Sequence, residues 1–290
     1  MFPSKSETSI IPPGYHKVAV VEGIMKKQLK LLRNAILILG PAIYFIPKIT
    51  LFYVICGLYD LLRNRNLDFS KIMQYFFGNG LLTWMLSPVN ILMDILTLPY
   101  INKGIYRLED LPKAYAGEVQ SLIDSAYSAN VIGQLEDRIK DVSRSMVFFK
   151  WAGKNVDTFV DVPAYHDKYK YIQTIGVSVF NKQKSTSRHF GPFRATLRLL
   201  YNLNDMTDNS AYIECGNTTH YWRENKLFIF DDTLMHQSFN KSDQVRYCLF
   251  VDILRPSILQ PVIMSIVHAF GFFLRSVNFI FYKNWKVLAK

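Results

Sequence analysis

Residues 188–192 read Arg-His-Phe-Gly-Pro, and residues 230–236 read Phe-Asp-Asp-Thr-Leu-Met-His. His236 follows His189 by 47 residues, and Arg246 comes ten residues after His236. Both stretches lie among short aromatic and β-branched runs, which are typical of strands. Two imidazoles and an arginine in strand-like sequence indicate an iron site that binds a dicarboxylic cosubstrate, set in a β domain.

The strand-like texture extends over residues 146–256 of the chain. The predicted strands cover residues 171–180, 196–201, 211–215, 226–230 and 245–254. Turn signals such as Asn202-Leu203-Asn204-Asp205 and Cys215-Gly216-Asn217 separate them. Short strands at this spacing predict a mainly β catalytic domain of the sandwich or jelly-roll type.

Hydrophobic segments precede this domain. Residues 34–59 carry no charge except Lys48, and residues 75–93 carry none. Both stretches have the length of a bilayer crossing, but prolines and Lys48 interrupt the first, so a re-entrant or interfacial hairpin stays open. We therefore predict a basic segment over 1–33, helical membrane-associated segments over 34–100 and a helical lead-in over 101–145.

A third apolar stretch, 258–274, contains Gln260, Pro261 and His268. Lysines interleaved with Phe, Tyr and Trp follow it, a mixture that suits the headgroup layer of a membrane. We predict interfacial helices over residues 257–290. A C-terminal helix that covers the core is an equal alternative.

The chain is basic, with 34 Lys and Arg against 23 Asp and Glu and a formal charge of +11, which calls for an acidic partner. The basic residues are scattered and form no nucleic-acid motif, so we expect no nucleic-acid partner and favour an anionic membrane surface. Basic residues before residue 34 slightly outnumber those of the loop 60–71. The positive-inside tendency therefore predicts a membrane hairpin with both ends in the cytoplasm, where the catalytic domain would also lie. Three cysteines without CxxC spacing predict no disulfide framework.

An iron oxygenase commonly adds a carboxylate to its two histidines. Gly191 stands where a His-x-Asp/Glu arrangement would place that acid. Asp232 would lie about 13 Å from His236 in an extended segment, which predicts that the two cannot share a metal. His220 is a further possible ligand, although its aromatic flank Tyr221-Trp222 favours a structural role.

The ordered motifs resemble the aspartyl/asparaginyl β-hydroxylase family of Fe(II)- and 2-oxoglutarate-dependent dioxygenases, in which the acid is normally absent. The resemblance covers about residues 146–256. The matching residues are His189-Phe190-Gly191-Pro192, Leu197-Arg198, Cys215, Trp222, Phe230-Asp231-Asp232-Thr233, His236, Arg246, Asp252 and Arg255-Pro256.

The resemblance implies a double-stranded β-helix, jelly-roll or cupin-like in form, with His189 and His236 as iron ligands. It also implies that 2-oxoglutarate chelates the iron and that O₂ is consumed. Arg246 would bind the far carboxylate of the cosubstrate together with Ser178, and Arg198 would be a second cosubstrate contact.

One position departs from the family pattern. Protein-modifying members have a histidine two residues after the position of Arg198, where this chain has Leu200. Structural roles also remain open for single residues: Arg246 could pair with Asp243 or Asp252. Asp231 and Asp232 could orient His236 or simply form a turn.

The hydrophobic segments at both ends resemble those of bacterial lipid hydroxylases in the family, including the lipid A acyl-chain 2-hydroxylase type. We therefore expect an enzyme of the bacterial inner membrane that hydroxylates an unactivated C–H, with a lipid acyl chain as substrate. Hydroxylation of peptidyl Asp or Asn is the alternative. A non-catalytic membrane scaffold is the third hypothesis, against which intact His189, His236, Ser178 and Arg246 argue.

Overall fold

The structure, a computed structural model, describes residues 13–64, 66–139, 143–275 and 286–287. Residues 1–12 of the predicted basic segment lie outside the described residues, and so does most of the predicted interfacial tail after Arg275. The strands are β1 Ile105–Tyr106, β2 Arg144–Trp151, β3 Lys154–Asn155, β4 Ile172–Phe180, β5 Lys184–Ser185, β6 Thr196–Asn202, β7 Ala211–Cys215, β8 Thr218–Tyr221, β9 Leu227–Phe230, β10 His236–Asn240, β11 Arg246–Leu254 and β12 Lys286–Val287.

Two sheets form the mainly β core of the protein. The larger has the order β1-β9-β6-β11-β4-β2-β12, with β3 attached to β2, and the smaller has the order β5-β10-β7-β8. Neighbouring strands are antiparallel, except that β12 runs parallel to β2. Ser178 of the larger sheet and Ser238 of the smaller line one cavity, so the two sheets face each other across it.

The five predicted strands are confirmed to within one residue at each end. The predictions did not identify β2 and β10 as strands. Every residue of β2 between its two ends is buried, so its sequence shows no alternation of polar and apolar side chains. The sequence of β10, His-Gln-Ser-Phe-Asn, is too polar to indicate a strand, and its pairing with β7 decides its conformation.

Two helices, α6 Lys113–Ser128 and α7 Val131–Ile139, lie between β1 and β2 in the chain. Val119 and Leu122 of α6 are fully buried, at helical spacing. They pack in one core cluster with Val147 of β2 and Val177 of β4. This helical layer therefore covers the outer face of the larger sheet.

The N-terminal region is helical but interrupted. Its helices are α1 Pro13–Phe45, α2 Pro47–Leu61, α3 Phe69–Met73, α4 Leu81–Met85 and α5 Ser87–Leu96, with a π turn over Gln74–Gly78. The apolar stretch 75–93 is thus not one continuous helix: Gly80, with a φ of 91°, separates the π turn from α4. Within the described residues, no helix combines the length and apolar character that crossing a bilayer requires.

A buried ion network joins the N-terminal helices to the catalytic sheet. Arg194, which is 1% exposed, pairs with Asp60 of α2 and with Asp94 of α5 at 3.0 Å. Its Nε also lies 3.4 Å from Asp231, which follows β9. Because a buried charge is costly unless it is paired, this network specifies how the helices sit on the β domain.

The C-terminal helix α8, Gln260–Arg275, has two different faces. Ile263 and Val267 are buried against the β domain, whereas Val262, Phe272 and Phe273 are exposed. Over the described residues, α8 therefore covers part of the core and also presents an apolar outer face, so it combines features of both alternatives that the sequence left open.

Candidate active site

The two predicted iron ligands lie side by side. His189 lies in the loop between β5 and β6, and His236 is the first residue of β10. Their backbones exchange two hydrogen bonds, of 3.1 and 2.9 Å, in an antiparallel bridge. The ring centroids are 4.2 Å apart. The bridge brings together two side chains that are 47 residues apart in the sequence.

Both imidazoles are oriented by a backbone carbonyl. The Nδ1 of His189 donates to the carbonyl of Ser187, and the Nδ1 of His236 donates to that of Leu234, each at 2.8 Å. A carbonyl only accepts, so each Nδ1 carries the proton and each Nε2 keeps its lone pair for a metal. Burial and the neighbouring His189 hold the pKa of His236 well below its usual range, which keeps it neutral and able to ligate.

Asp232 lies beside His236, and the expectation of a wide separation is wrong. Its Oδ1 is 3.4 Å from the Nε2 of His236. The segment is not extended but turns back: Leu234 N–H donates to the Asp231 carbonyl, and the Asp231 side chain accepts from the backbone and hydroxyl of Thr233. The turn thus brings the carboxylate of Asp232 to the Nε2 edge of His236, the edge that the hydrogen bond to Leu234 leaves for a metal.

The surroundings of Gly191 leave no space for a side chain. A Cβ at this position would collide with the carboxylate of Asp232 and would lie 2.7 Å from its backbone oxygen. The space in which a His-x-Asp/Glu motif would hold its acid is therefore taken by Asp232 from another segment. No cluster of three or more His, Cys, Asp or Glu with metal-binding geometry occurs among the described residues.

Arg246 is buried, and no counter-charge lies beside it among the described residues. Its side chain is 1% exposed, and within the same residues its Nε and Nη1 have no hydrogen-bond partner. The guanidinium packs on the rings of Phe180 and Trp222, 4.4 and 5.0 Å from their centroids. Burial lowers its pKa, and no carboxylate in the described part of the chain compensates the charge. A bound anion would satisfy these donors.

Two further predicted cosubstrate residues line the same cavity. Ser178 lies on β4, next to the strand that carries Arg246, and its hydroxyl donates to the Cys248 carbonyl at 3.2 Å. The guanidinium of Arg198 is already engaged: Nε donates to Asp252 at 2.7 Å and Nη2 to Asp232 at 3.2 Å. Arg198 therefore positions Asp232, which in turn adjoins His236.

The structure also gives the contacts of three other residues for which the sequence suggested a role. Asp252 pairs with Arg198, and among the described residues no ion pair between Asp252 and Arg246 is observed. His220 donates from Nε2 to the Asn225 carbonyl at 2.9 Å and stacks on Phe228, as its aromatic flank predicted. Leu200 is buried in the cavity wall, which makes this part of the wall apolar.

The cavity between the sheets has a volume of about 270 Å³. Its polar lining includes the two histidines, Ser178, Arg246 and Asp232. Apolar side chains also line it, and we name five of them the apolar arm: Met146, Trp151, Phe193, Val267 and Phe270. Phe193 and Phe270 face each other with ring centroids 4.2 Å apart. Because Val267 and Phe270 belong to α8, the C-terminal helix completes the cavity.

A set of asparagines that contact the segments around the two histidines was not predicted from the sequence. Asn79 bonds to the backbone of Phe190, and Asn64 accepts from the N–H of Met235 at 2.8 Å. A signal was present, because Asn79 interrupts an apolar run, where a polar side chain needs a hydrogen-bond partner. Its partner could not be read from the sequence, since it lies 111 residues away.

Comparison with known proteins agrees with the motifs. Residues 154–256 match the family model described as aspartyl/asparaginyl beta-hydroxylase. The ornithine lipid ester-linked acyl 2-hydroxylase of Rhizobium tropici is 32% identical over 104 residues, which are 36% of this chain and 37% of that protein. The aspartyl/asparaginyl beta-hydroxylase of Mus musculus is 31% identical over 70 residues, 24% of this chain and 9% of that protein. The predicted family resemblance is confirmed over the matched residues.

The matched region spans well under half the length of these curated relatives. Among solved structures, an oxidoreductase of the 2OG-Fe(II) oxygenase family from Burkholderia pseudomallei is 10% identical, covering 30% of this chain and 44% of that one, with a TM-score of 0.25. Such a score is too low to bear on function.

The residues present fit an iron ion and an oxodicarboxylate. Two imidazoles whose Nδ1 atoms bond to carbonyls, leaving Nε2 as the ligating atom, suit Fe(II). The guanidinium of Arg246, whose Nε and Nη1 have no partner among the described residues, lies in the same cavity, where it suits the carboxylate at the other end of a short diacid.

Proposed function

We propose that this protein is a membrane-associated Fe(II)- and 2-oxoglutarate-dependent dioxygenase that hydroxylates a lipid acyl chain. The observation that carries the proposal is the buried guanidinium of Arg246, whose Nε and Nη1 have no partner among the described residues, in one cavity with two histidines whose Nε2 atoms could bind a metal. A protein keeps such a costly charge where a ligand compensates it. The family match supports a hydroxylase.

When bound, iron with 2-oxoglutarate and O₂ supplies the power to oxidise an unactivated C–H bond. His189 and His236 would hold the iron through Nε2, and the carbonyls of Ser187 and Leu234 keep both rings in the ligating tautomer. Arg246, with Ser178 beside it, would bind the far carboxylate and so set the direction of the cosubstrate.

The apolar arm favours an acyl chain as the substrate. Its aromatic and aliphatic walls offer no charge and would receive methylene groups, each worth about 0.8 kcal/mol when buried. The two histidines line the same cavity and would then lie beside one carbon of that chain. The R. tropici relative is named as an acyl 2-hydroxylase of ornithine lipid, which agrees with such a substrate. Nothing in the arm would pair with the charged groups of a peptide.

The N-terminal helices support attachment to a membrane surface. Large apolar side chains of α1 and α2 point to solvent; Leu37 is 65% exposed and Phe45 is 75% exposed. The basic residues Lys30, Arg33 and Lys48 are exposed on the same helices. An apolar face bordered by lysine and arginine is typical of helices that lie in the interface of an anionic bilayer.

Comparative lipid mass spectrometry tests the proposal. Cells would express the wild type, His236→Ala or His166→Ala, a control histidine that does not line the cavity. We expect a lipid that gains the mass of one oxygen with the wild type and the control, and no gain with His236→Ala. Equal lipid profiles in a host that contains ornithine lipids and lipid A would refute acyl hydroxylation, and peptide hydroxylation would then be tested next.

A further inference from the structure

The N-terminal apolar helices contact the backbone beside the first histidine. The Asn79 side chain forms two hydrogen bonds with Phe190, the residue after His189: Phe190 N–H donates to Oδ1 at 2.9 Å, and Nδ2 donates to the Phe190 carbonyl at 2.6 Å. A side-chain amide thus substitutes for a neighbouring strand at this point. Asn79 directly follows the π turn, and such turns are frequent at functional sites.

The second histidine is held in the same way. Asn64, which is buried in the turn after α2, accepts from the N–H of Met235, the residue before His236, at 2.8 Å. A third amide, that of Asn90 on α5, secures the end of the first loop. Its Oδ1 accepts from Arg194 N–H at 2.9 Å, and its Nδ2 donates to the Pro192 carbonyl at 3.2 Å.

Apolar packing reinforces these hydrogen bonds. The side chains of Phe190 and Met235 are buried in one cluster with the helical residues Leu61, Tyr75 and Trp84. The rings of Phe190 and Tyr75 are 5.2 Å apart, edge to face. Each histidine is therefore the direct neighbour of a residue whose backbone and side chain are both fixed by the helices.

His189 needs such support because it lies outside the strands, and its bridge to His236 is isolated. His236 is the first residue of β10 and pairs with Cys215 of β7, so regular pairing begins there. The bridge ties the loop of His189 to the start of β10 but not to a rigid element on the helical side. A metal site requires its ligands to be held within about half an ångström of their working positions. The helices supply this rigidity from outside the β domain.

We propose that Asn64, Asn79 and Asn90 form an asparagine clamp, through which the N-terminal helices position His189 and His236 for metal binding. The N-terminal helices, which also carry the exposed apolar side chains of α1 and α2, thus support the metal site from outside. The three asparagines act as positioning residues and do not touch the metal. This inference rests on the proposed metal site.

Titration with Co(II), followed by its visible absorption, tests the clamp on the full chain. Loss of groups that orient metal ligands typically weakens metal affinity about 10- to 100-fold. We expect such a loss in Asn79→Ala and in Asn64→Ala, with altered Co(II) absorption bands. The matched control is Asn34→Ala. The side chain of Asn34, on α1, donates to the Phe77 carbonyl among the N-terminal helices, and the described structure shows no hydrogen bond from it to the segments around His189 and His236. This variant should keep wild-type Co(II) affinity.

Asn64→Asp separates positioning from folding. The aspartate keeps the acceptor for Met235 N–H, which is the contact that the clamp requires of this residue. It should restore most of the Co(II) affinity lost in Asn64→Ala. If Asn79→Ala does not fold, the comparison of Asn64→Ala with Asn64→Asp tests the clamp. Wild-type affinity in both alanine variants would overturn the clamp but leave the proposed function intact, whereas absence of Co(II) binding by the wild type would overturn the metal site itself.

Discussion

Replacement of Arg246 by methionine tests whether its guanidinium serves a ligand or the fold. The side chain is 1% exposed, with two donors unpaired among the described residues. Each unsatisfied buried donor costs about 1–3 kcal/mol. Stacking on Phe180 and Trp222 offsets this by about 2 kcal/mol per ring. The free energy of unfolding of the ligand-free protein should therefore stay within about 2 kcal/mol of wild type.

Arg194 provides the matched control, because it is equally buried but fully paired. Arg194→Met would leave Asp60 and Asp231 without their partner, and breaking a buried ion pair costs about 3–5 kcal/mol. Urea unfolding followed by circular dichroism measures both variants. A large loss for Arg194→Met beside a small change for Arg246→Met would distinguish a structural arginine from a ligand-binding one.

The cosubstrate should reveal what Arg246 does. Two charge-assisted hydrogen bonds are worth about 3–6 kcal/mol together, so Arg246→Met should bind 2-oxoglutarate at least about 100-fold more weakly. With Co(II) present, 2-oxoglutarate at 100 times the wild-type Kd stabilises the wild type by about 2.7 kcal/mol and the variant by at most about 0.4 kcal/mol. Equal stabilisation of both, with a loss of several kcal/mol in ligand-free Arg246→Met, would refute the assignment.

Three further predictions address the neighbouring structure. Gly191→Ala should lower the free energy of unfolding by about 1–3 kcal/mol, because the new Cβ collides with Asp232. Its control is Gly117→Ala on α6, where the space is open and the free energy of unfolding should rise by about 0.5–1 kcal/mol. Thermal unfolding of the two variants measures the difference. Burial opposes ionisation of Asp231, but Arg194 and Arg63 outweigh it and hold its pKa at about 2. Its stabilising contribution is therefore present above its unfolded pKa of about 3.9 and lost as the pH falls from there towards 2; acid titration of Asp231→Asn should lack this slope. The protein should sediment with anionic vesicles more than with zwitterionic ones, and the difference should shrink as salt is added; equal binding to both would contradict the anionic preference.

Local pattern predicted the elements and the chemistry of the site. The runs that became β4, β6, β7, β9 and β11 carry β-branched and aromatic side chains between turn residues, and such preferences act within a few residues of the chain. The spacing of His189, His236 and Arg246 in ordered motifs indicated which side chains would meet. The strand β10 was missed because its polar residues show no local preference for a strand.

The amino-acid sequence by itself determined β4, β6, β7, β9 and β11, the two imidazoles and the arginine, because backbone preference and ligand chemistry belong to individual residues and their near neighbours. Only the tertiary structure decided that Asp232 turns back to His236, that Arg246 has no counter-charge among the described residues and that α8 completes the cavity. The same holds for the asparagine clamp: Asn64 meets Met235 across 171 residues of sequence. Such contacts depend on how distant elements pack, and packing is a property of the whole chain.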